Sequence, residues 1–249
     1  MDETELPLTE HLAELRRRIV WILLAWATAA ILCWQYREAI FGALLAPALD
    51  ALGPDTPLQA IAPTEIFFTY LKCALLAGFV LSTPVFFWNV WAFVAPGLYA
   101  SEKRFAVPFV VFSTLLFAGG ATFGYGLVFP LIFDFFSGFA SEFVSSAWTM
   151  REVFGLTTRL FIAFGVGFEL PVVVFFVAAS GLLSTGQLLA GSKYGLLVAF
   201  VLGAVLTPPD VVSQILLAAP LFVLYLIGAV AGGFFAKTEE ARQPPRALP

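Results

Sequence analysis

Residues 93–104, FVAPGLYASEKR, form a polar turn between two of the most hydrophobic segments of the chain. The turn contains a Pro-Gly pair, which interrupts a helix, and it ends on the charged residues Glu102, Lys103 and Arg104. Such a turn between two long apolar runs is typical of a loop at a membrane edge. The stretch therefore predicts a hairpin of membrane-spanning helices, with Glu102 on a surface that a partner can reach.

Composition extends this reading to the whole chain. Of its 249 residues, 60% are hydrophobic and 12% are charged, which fits a polytopic membrane protein in one membrane domain rather than a soluble protein. No removable signal peptide is expected, because the N-terminus is acidic and the first basic cluster comes only at Arg16 to Arg18. Cys33 and Cys73 lie in apolar segments and are expected to be free thiols, although a bridge between them is geometrically conceivable.

The hydrophobic pattern predicts an all-α polytopic membrane protein with six transmembrane helices, of which the fifth and sixth are short. A cytoplasmic amphipathic segment, 1–18, should lie on the membrane surface before the chain turns inward, and a tail, 237–249, should follow the six-helix bundle of 19–236. The predicted spans are Ile19–Trp34, Glu65–Val94, Phe105–Pro130, Val153–Ala179, Tyr194–Leu206 and Val211–Ala236. Segments 35–64 and 131–152 should form external caps, the first of them with short helical pieces.

Basic residues predict the orientation of these spans. Most of them fall in the N-terminal segment, the loop at 95–104, the connector at 181–193 and the tail. By the positive-inside rule these parts are cytoplasmic, so both termini are expected to face the cytoplasm.

Enzyme chemistry finds little support in the sequence. His11 is the only histidine and lies in the N-terminal segment, which excludes a Ser-His dyad within the bilayer and a zinc site of the HExxH type. No metal, cofactor or nucleic-acid partner is expected.

Glu169 is the acidic residue inside a predicted span, in the sequence FGVGFELP at 164–171. An ionised side chain there costs about 2.5–3.5 kcal/mol, so the residue is expected to face a cavity or a polar partner. Two interpretations stay open: a group that only holds the bundle together, and a functional one, either a proton relay or a docking point for another membrane helix. Direct pairing with Arg159, ten residues earlier, is not expected over about 15 Å.

Glu14 and Glu102 are the other candidate carboxylates, both on predicted cytoplasmic segments. Glu14 can pair with Arg18 at i, i+4, and Glu102 is placed to favour the start of the third span through the helix dipole. The functional alternative is that both receive guanidinium groups in bidentate hydrogen bonds, for which Arg is better suited than Lys. Spacing alone favours the structural interpretation and does not show that the two glutamates are neighbours.

Two further segments have local signatures. LTPPDVVSQ at 206–214 predicts a tight external corner, comprising Pro208, Pro209, Asp210 and Gln214, in which Asp210 caps the last helix. Gly120 and Gly124 form a GxxxG pattern that favours a close helix contact.

Several of these segments together resemble the signature segments of TatC, the receptor subunit of the twin-arginine protein translocase. They are HLAELRRR at 11–18, APTEIFFTYLK at 62–72, FVAPGLYASEKR at 93–104, FGVGFELP at 164–171 and LTPPDVVSQ at 206–214. The resemblance covers most of the chain, but not 131–152 or the tail beyond Lys237.

The resemblance implies a receptor in the bacterial cytoplasmic membrane that binds Arg-Arg signal peptides of folded precursors. It would associate with itself and with single-span TatA and TatB partners, for export driven by the proton gradient. Glu14, Arg16, Phe93 and Glu102 would form the signal-peptide site, and Glu169 would be a polar point in the membrane face. Pro47 and Asp210 would belong to sensitive external elements. A proton-coupled transporter of a small solute, with Glu169 as the proton carrier, is the alternative hypothesis.

Overall fold

The computed structural model describes residues 8–53, 58–94, 106–141, 147–179 and 182–240, and most of these residues are helical. The helices are α1 Leu8–Trp34, α2 Arg37–Leu52, α3 Pro63–Val94, α4 Ala106–Phe123, α5 Phe129–Ser137, α6 Met150–Gly167, α7 Leu170–Ala179, α8 Thr185–Ala190, α9 Ser192–Leu206 and α10 Val211–Glu240. A π-helical segment, Gly124–Val128, joins α4 to α5.

Five segments are long and apolar enough to cross a membrane: Leu12–Trp34, Pro63–Phe93, Val107–Ser137, Met150–Ala178 and Val211–Phe234. Helix α9 is apolar but has only 15 residues, about 22 Å. The all-α, six-span membrane fold predicted from the sequence is confirmed, including the short fifth span. The sixth span is not short, because its apolar part alone has 24 residues.

The chain divides into two compact units, the first formed by Met1–Leu115 with Ala147–Phe154. In this unit α1 and α2 both pack against α3. A Cβ atom on Gly78 would lie 2.6 Å from the Cα of Ala30, so the backbones of α1 and α3 touch there. Near the other end of this contact the rings of Trp34 and Phe67 are 5.8 Å apart. Because the order of these contacts reverses along the two helices, α1 and α3 are antiparallel.

The second unit is formed by Leu116–Ser146 with Gly155–Pro249, and α10 packs there against α7, α8 and α9. Glycines again allow close approach: a Cβ on Gly228 would lie 2.7 Å from the Cα of Pro171. The predicted GxxxG contact is confirmed. A Cβ on Gly120 would overlap the carbonyl oxygen of Phe164, and a Cβ on Gly124 would lie 2.7 Å from the ring of Phe164. Gly119, next to this pair, has open space instead.

The N-terminal half of the chain is more continuously helical than the sequence predicts. Helix α1 runs unbroken from Leu8 to Trp34, so the predicted turn from a surface helix into the membrane at residue 18 is wrong. No glycine or proline occurs between these residues to end the helix. The first external cap likewise holds one 16-residue helix, α2, rather than short pieces.

Two other boundaries also differ. The third span continues as helix to Ser137, which the sequence reading had placed in the second external segment. The fourth span is divided between α6 and α7, with a break at Phe168 and Glu169. Pro171 accounts for the break, because it has no N–H to donate to the carbonyl of Gly167.

Candidate functional site

Glu14 lies on α1 and is held by a residue of the same helix. Its Oε1 accepts hydrogen bonds from Nη2 of Arg18 at 2.8 Å and from Nε at 3.3 Å. The two side chains are 18% and 24% exposed, so the pair is partly shielded from water. The predicted i, i+4 pair is confirmed, with both guanidinium donors on the same carboxylate oxygen.

The antiparallel packing of α1 on α3 places Glu14 toward the C-terminal end of α3. Glu14 precedes Ala30 by 16 residues, and Val94, the last residue of α3, follows Gly78 by the same 16. Because Ala30 and Gly78 are in contact and the helices are antiparallel, Glu14 and Val94 both lie on one side of this contact. The candidate residue Phe93 lies on the same side.

Aromatic stacking ties together the two helices that flank the loop after Val94. The rings of Trp91 on α3 and Phe109 on α4 have centroids 4.6 Å apart and an interplanar angle of 28°. Trp91 is buried, and Phe93, two residues later, is half-buried. The C-terminal end of α3 and the first turns of α4 are thus held together on the Glu14 side of the Ala30–Gly78 contact. Glu102 itself lies outside the described residues.

Arg16 occupies the exposed surface of α1, two residues from Glu14. Neighbouring positions two apart point about 200° apart around a helix, so Arg16 and Glu14 are on different faces. Its predicted part in the same site as Glu14 stays a prediction.

Glu169 lies at the break between α6 and α7 and is half-buried. Its carbonyl oxygen accepts hydrogen bonds from the amides of Val172 at 3.0 Å and Val173 at 3.1 Å, which begins α7. Breaks in membrane helices are tolerated where the backbone is buried in protein or lines a polar cavity. The acidic residue therefore coincides with the irregular backbone of its span, a feature that the sequence reading did not anticipate.

The corner between α9 and α10 forms as predicted. Asp210 Oδ1 accepts a hydrogen bond from the amide of Ser213 at 2.7 Å and so caps α10, while Pro208 and Pro209 lie in the turn. Gln214 Nε2 donates to the carbonyl of Phe200 at 3.0 Å and joins α10 to α9. These four residues are therefore structural in the second unit.

Pro47 lies within α2 and is half-buried. Its neighbours Leu45 and Ala48 are fully buried, so this part of α2 faces the protein. A proline in a helix interior removes one backbone hydrogen bond. The predicted sensitivity of this element stays a prediction.

Glu65 is the residue that the sequence reading missed. Its Oε2 accepts a hydrogen bond from the amide of Ile61 at 2.9 Å, and its Oε1 accepts one from the amide of Arg151 at 2.8 Å, 86 residues away. A glutamate two positions after Pro63 is a typical helix-start signal and indicates the first bond. Nothing in the sequence indicates the second.

Glu65 completes a set of contacts that satisfies the first amides of α6. The amide of Met150 donates to the carbonyl of Gln59 at 2.8 Å, and the amide of Glu152 donates to Oγ1 of Thr149 at 3.3 Å. The Gln59 amide in turn donates to the carbonyl of Trp148 at 2.9 Å. Residues 59–65 therefore hold the start of α6, and we call these contacts the cap clasp.

Two features of the described residues bear on metal binding and on disulfide bonding. Among residues 8–53, 58–94, 106–141, 147–179 and 182–240, no group of three or more His, Cys, Asp or Glu side chains is placed to hold a metal ion. Cys33 and Cys73 are buried free thiols, as expected.

Comparison with known proteins identifies the family. Residues 10–220 match the family model described as Sec-independent protein translocase protein (TatC). The chain is 42% identical over 240 residues to the TatC protein of Desulforapulum autotrophicum, which covers 96% of this chain and 89% of that one. It is 38% identical over 229 residues to TatC of Escherichia coli K12, covering 92% and 89%.

A solved structure agrees with these relatives. A crystal structure described as the twin-arginine translocase receptor TatC superposes with a TM-score of 0.81 at 34% identity, covering 90% of this chain and 99% of that one. The solved structure therefore shares the fold of this chain, and the sequence matches cover most of its length. This chain therefore belongs to the TatC family of Sec-independent protein translocase proteins.

Proposed function

We propose that this chain is the receptor and core subunit of a twin-arginine protein translocase, and that it binds the Arg-Arg signal peptides of folded precursors. The binding site would be the membrane edge formed by Glu14, Phe93 and the loop that carries Glu102, with Arg16 beside it. One observation carries the proposal. Glu14 lies on the side of the Ala30–Gly78 contact toward the end of α3, where the rings of Trp91 and Phe109 stack.

The chemistry of this edge suits a guanidinium ligand. Glu14 already accepts two hydrogen bonds from the guanidinium group of Arg18, both at Oε1, and a peptide arginine can replace that donor. A second carboxylate on the loop would accept the second arginine. Lysine has a single ammonium group and cannot form the planar fork, so Arg-Arg is favoured over Lys-Lys.

The partners and the membrane placement follow from the same proposal. The chain would lie in the bacterial cytoplasmic membrane with both termini in the cytoplasm, associate with itself and recruit TatA- and TatB-type single-span proteins. Glu169 would offer these helices or the precursor a polar point within the membrane. Export would draw on the proton gradient, and the subunit itself would be non-enzymatic.

The proposal is tested by peptide binding to the purified full chain in detergent. We expect an Arg-Arg signal peptide to bind at least about tenfold more tightly than its Lys-Lys counterpart, and Glu102→Gln to remove most of that difference. Glu10→Gln, an exposed acid on the same helix as Glu14, is the matched control and should leave the preference intact. Equal binding of both peptides by the unmodified chain would contradict the proposal.

Crosslinking locates the site directly. A photocrosslinker at position 102 should capture the peptide through residues next to its arginine pair, whereas one at the exposed position Tyr36, at the opposite end of α1, should not. Capture at position 36 alone would place the site elsewhere.

The alternative of a proton-coupled small-solute transporter is set aside. The family model, the relatives and the solved structure are all of protein translocase subunits.

A further inference from the structure

Arg159 is a charged residue on the exposed stripe of α6. Ile162 and Val166 are exposed on the same helix at 39% and 53%, and Arg159 precedes them by three and seven residues, which places all three on one face. Leu160 and Phe164, which turn toward a different face, are buried. Such an exposed apolar stripe on a membrane-spanning segment is suited to contact lipid, and Arg159 lies on it.

The guanidinium group turns back toward the beginning of α6. Its Nε donates a hydrogen bond to the carbonyl of Gly155 at 3.2 Å, and Nη2 would be 3.8 Å from a Cβ atom on Gly155. Among the residues that the structure describes, Arg159 takes part in no ion pair, so most of its donors are available. An arginine in this posture reaches toward the headgroup region while its stem stays in the apolar layer.

Length places Arg159 at the boundary of the hydrocarbon. The segment Met150–Ala178 has 29 residues, about 43 Å, which exceeds the ~30 Å hydrocarbon core. Leu160–Ala179 has 20 residues, about 30 Å, with Glu169 as its one charged residue. The excess is therefore the polar beginning of α6, which contains Arg151, Glu152, Thr157 and Thr158.

Helix α3 repeats this pattern independently. Lys72 is exposed and comes nine residues after Pro63, just as Arg159 comes nine residues after Met150. The 22 residues that follow, 73–94, carry no charge and span about 33 Å. Each of these two helices thus has a cation where its hydrocarbon-length run begins.

We propose that Arg159 binds the phosphate of an anionic phospholipid at the membrane surface nearest the N-terminal end of α6. The guanidinium group would accept the lipid phosphodiester as a bidentate ligand, and Ile162 and Val166 would lie along the acyl chains below it. Residues 150–158 and the cap clasp would then stand above the hydrocarbon. This site is independent of the proposed signal-peptide function.

Lipid competition on the full chain tests the proposal. Protein in micelles would be offered phosphatidylglycerol and phosphatidylcholine together, and bound lipids would be counted by native mass spectrometry. We expect the preference for phosphatidylglycerol to fall about fivefold in Arg159→Gln and less in Arg159→Lys. Arg151→Gln is the matched control, because it removes an exposed cation from the same helix above the boundary, and it should change little.

An unchanged preference in Arg159→Gln would overturn the proposal, as would an equal loss in Arg151→Gln. A preference seen only when a second membrane protein is co-purified would also overturn it, since Arg159 would then serve a protein partner.

Cysteine labelling tests the boundary by a separate readout. With Cys33 and Cys73 replaced by Ala, Glu152→Cys and Ile162→Cys place thiols on the exposed surface of α6 on either side of Arg159. A membrane-impermeant maleimide should label position 152 and spare position 162 in sealed vesicles with that face outward. Labelling of both positions, or of neither, would show that the edge of the hydrocarbon core does not lie at Arg159 and would contradict the proposal.

Discussion

Glu14 and Glu65 both belong to the first unit and both accept two hydrogen bonds, but their donors differ in kind. Both bonds to Glu14 come from the side chain of Arg18, four residues away on the same helix. The bonds to Glu65 come from the backbone amides of Ile61 and Arg151. Arg18 can release Glu14 and turn to water, whereas a backbone amide at a helix start cannot move without unwinding the helix.

The consequence of a carboxylate's contacts therefore depends on its donor. An exchangeable donor leaves Glu14 suited to binding a ligand, while fixed donors make Glu65 a joint between two segments of the chain. Substitutions at and around these two glutamates separate binding from stability.

The largest effect is expected from Glu65→Ala. The substitution leaves the amides of Ile61 and Arg151 without their acceptor, so the cap clasp should loosen and the melting temperature should fall by several degrees. Thermal unfolding in detergent measures this change. Glu38→Ala in the same external segment is the control. Glu38 is 71% exposed, and its Oε1 lies 3.8 Å from Nη2 of Arg37, which is longer than a hydrogen bond. If both variants melt alike, Glu65 is not a joint.

Glu14→Gln should act on binding rather than on stability. An amide cannot form the charged fork with a peptide arginine, and we expect about tenfold weaker binding of an Arg-Arg peptide. The melting temperature should stay near that of the unmodified chain, since an i, i+4 pair contributes only about 0.3–0.5 kcal/mol. Isothermal titration and thermal unfolding on one preparation give both values. A large loss of stability would make Glu14 structural, like Glu65.

Thr149→Val removes one contact of the cap clasp while keeping the shape of the side chain. The amide of Glu152 loses its acceptor Oγ1, and the loss of such a helix cap costs on the order of 1 kcal/mol. Equilibrium unfolding in mixed micelles measures it, and Thr149→Ser, which keeps the hydroxyl, should be nearly neutral. Equal losses in the two variants would point to packing of the methyl group instead.

Arg18→Gln should have the smallest effect. It removes the internal competitor for Glu14, so an Arg-Arg peptide should bind up to about twofold more tightly at low salt. Arg17→Gln, an exposed cation next to it, is the control for the change in net charge. Weaker binding in Arg18→Gln but not in the control would show that Arg18 supports the site rather than occupying it.

Local signals account for what could be predicted from the sequence. Six apolar runs indicated the spans, the i, i+4 spacing indicated the Glu14–Arg18 pair, and Asp210 indicated the cap of α10. Each of these depends on residues within a few positions of each other. The break at Glu169 also has a local cause, because Pro171 lies two residues away. The long apolar run around it nevertheless favoured the prediction of an unbroken helix.

Helix continuity was harder to predict because apolar and amphipathic patterns share the helical period. The surface segment before residue 19 and the first span differ in composition but not in periodicity, and without a glycine or proline the helix continues through both. The extension of the third span beyond Pro130 has another local reason: the π-helical segment Gly124–Val128 directly precedes α5, so the chain passes Pro130 without leaving the helical conformation.

The sequence by itself determined the class of this protein, its six apolar spans and the candidate residues at its edges, because hydrophobic length and charge are properties of short segments. Only the tertiary structure decided that Glu14 lies toward the C-terminal end of α3 and that Glu65 reaches the start of α6. These placements depend on which glycine meets which helix and on contacts between residues up to 86 positions apart, and no local pattern encodes them.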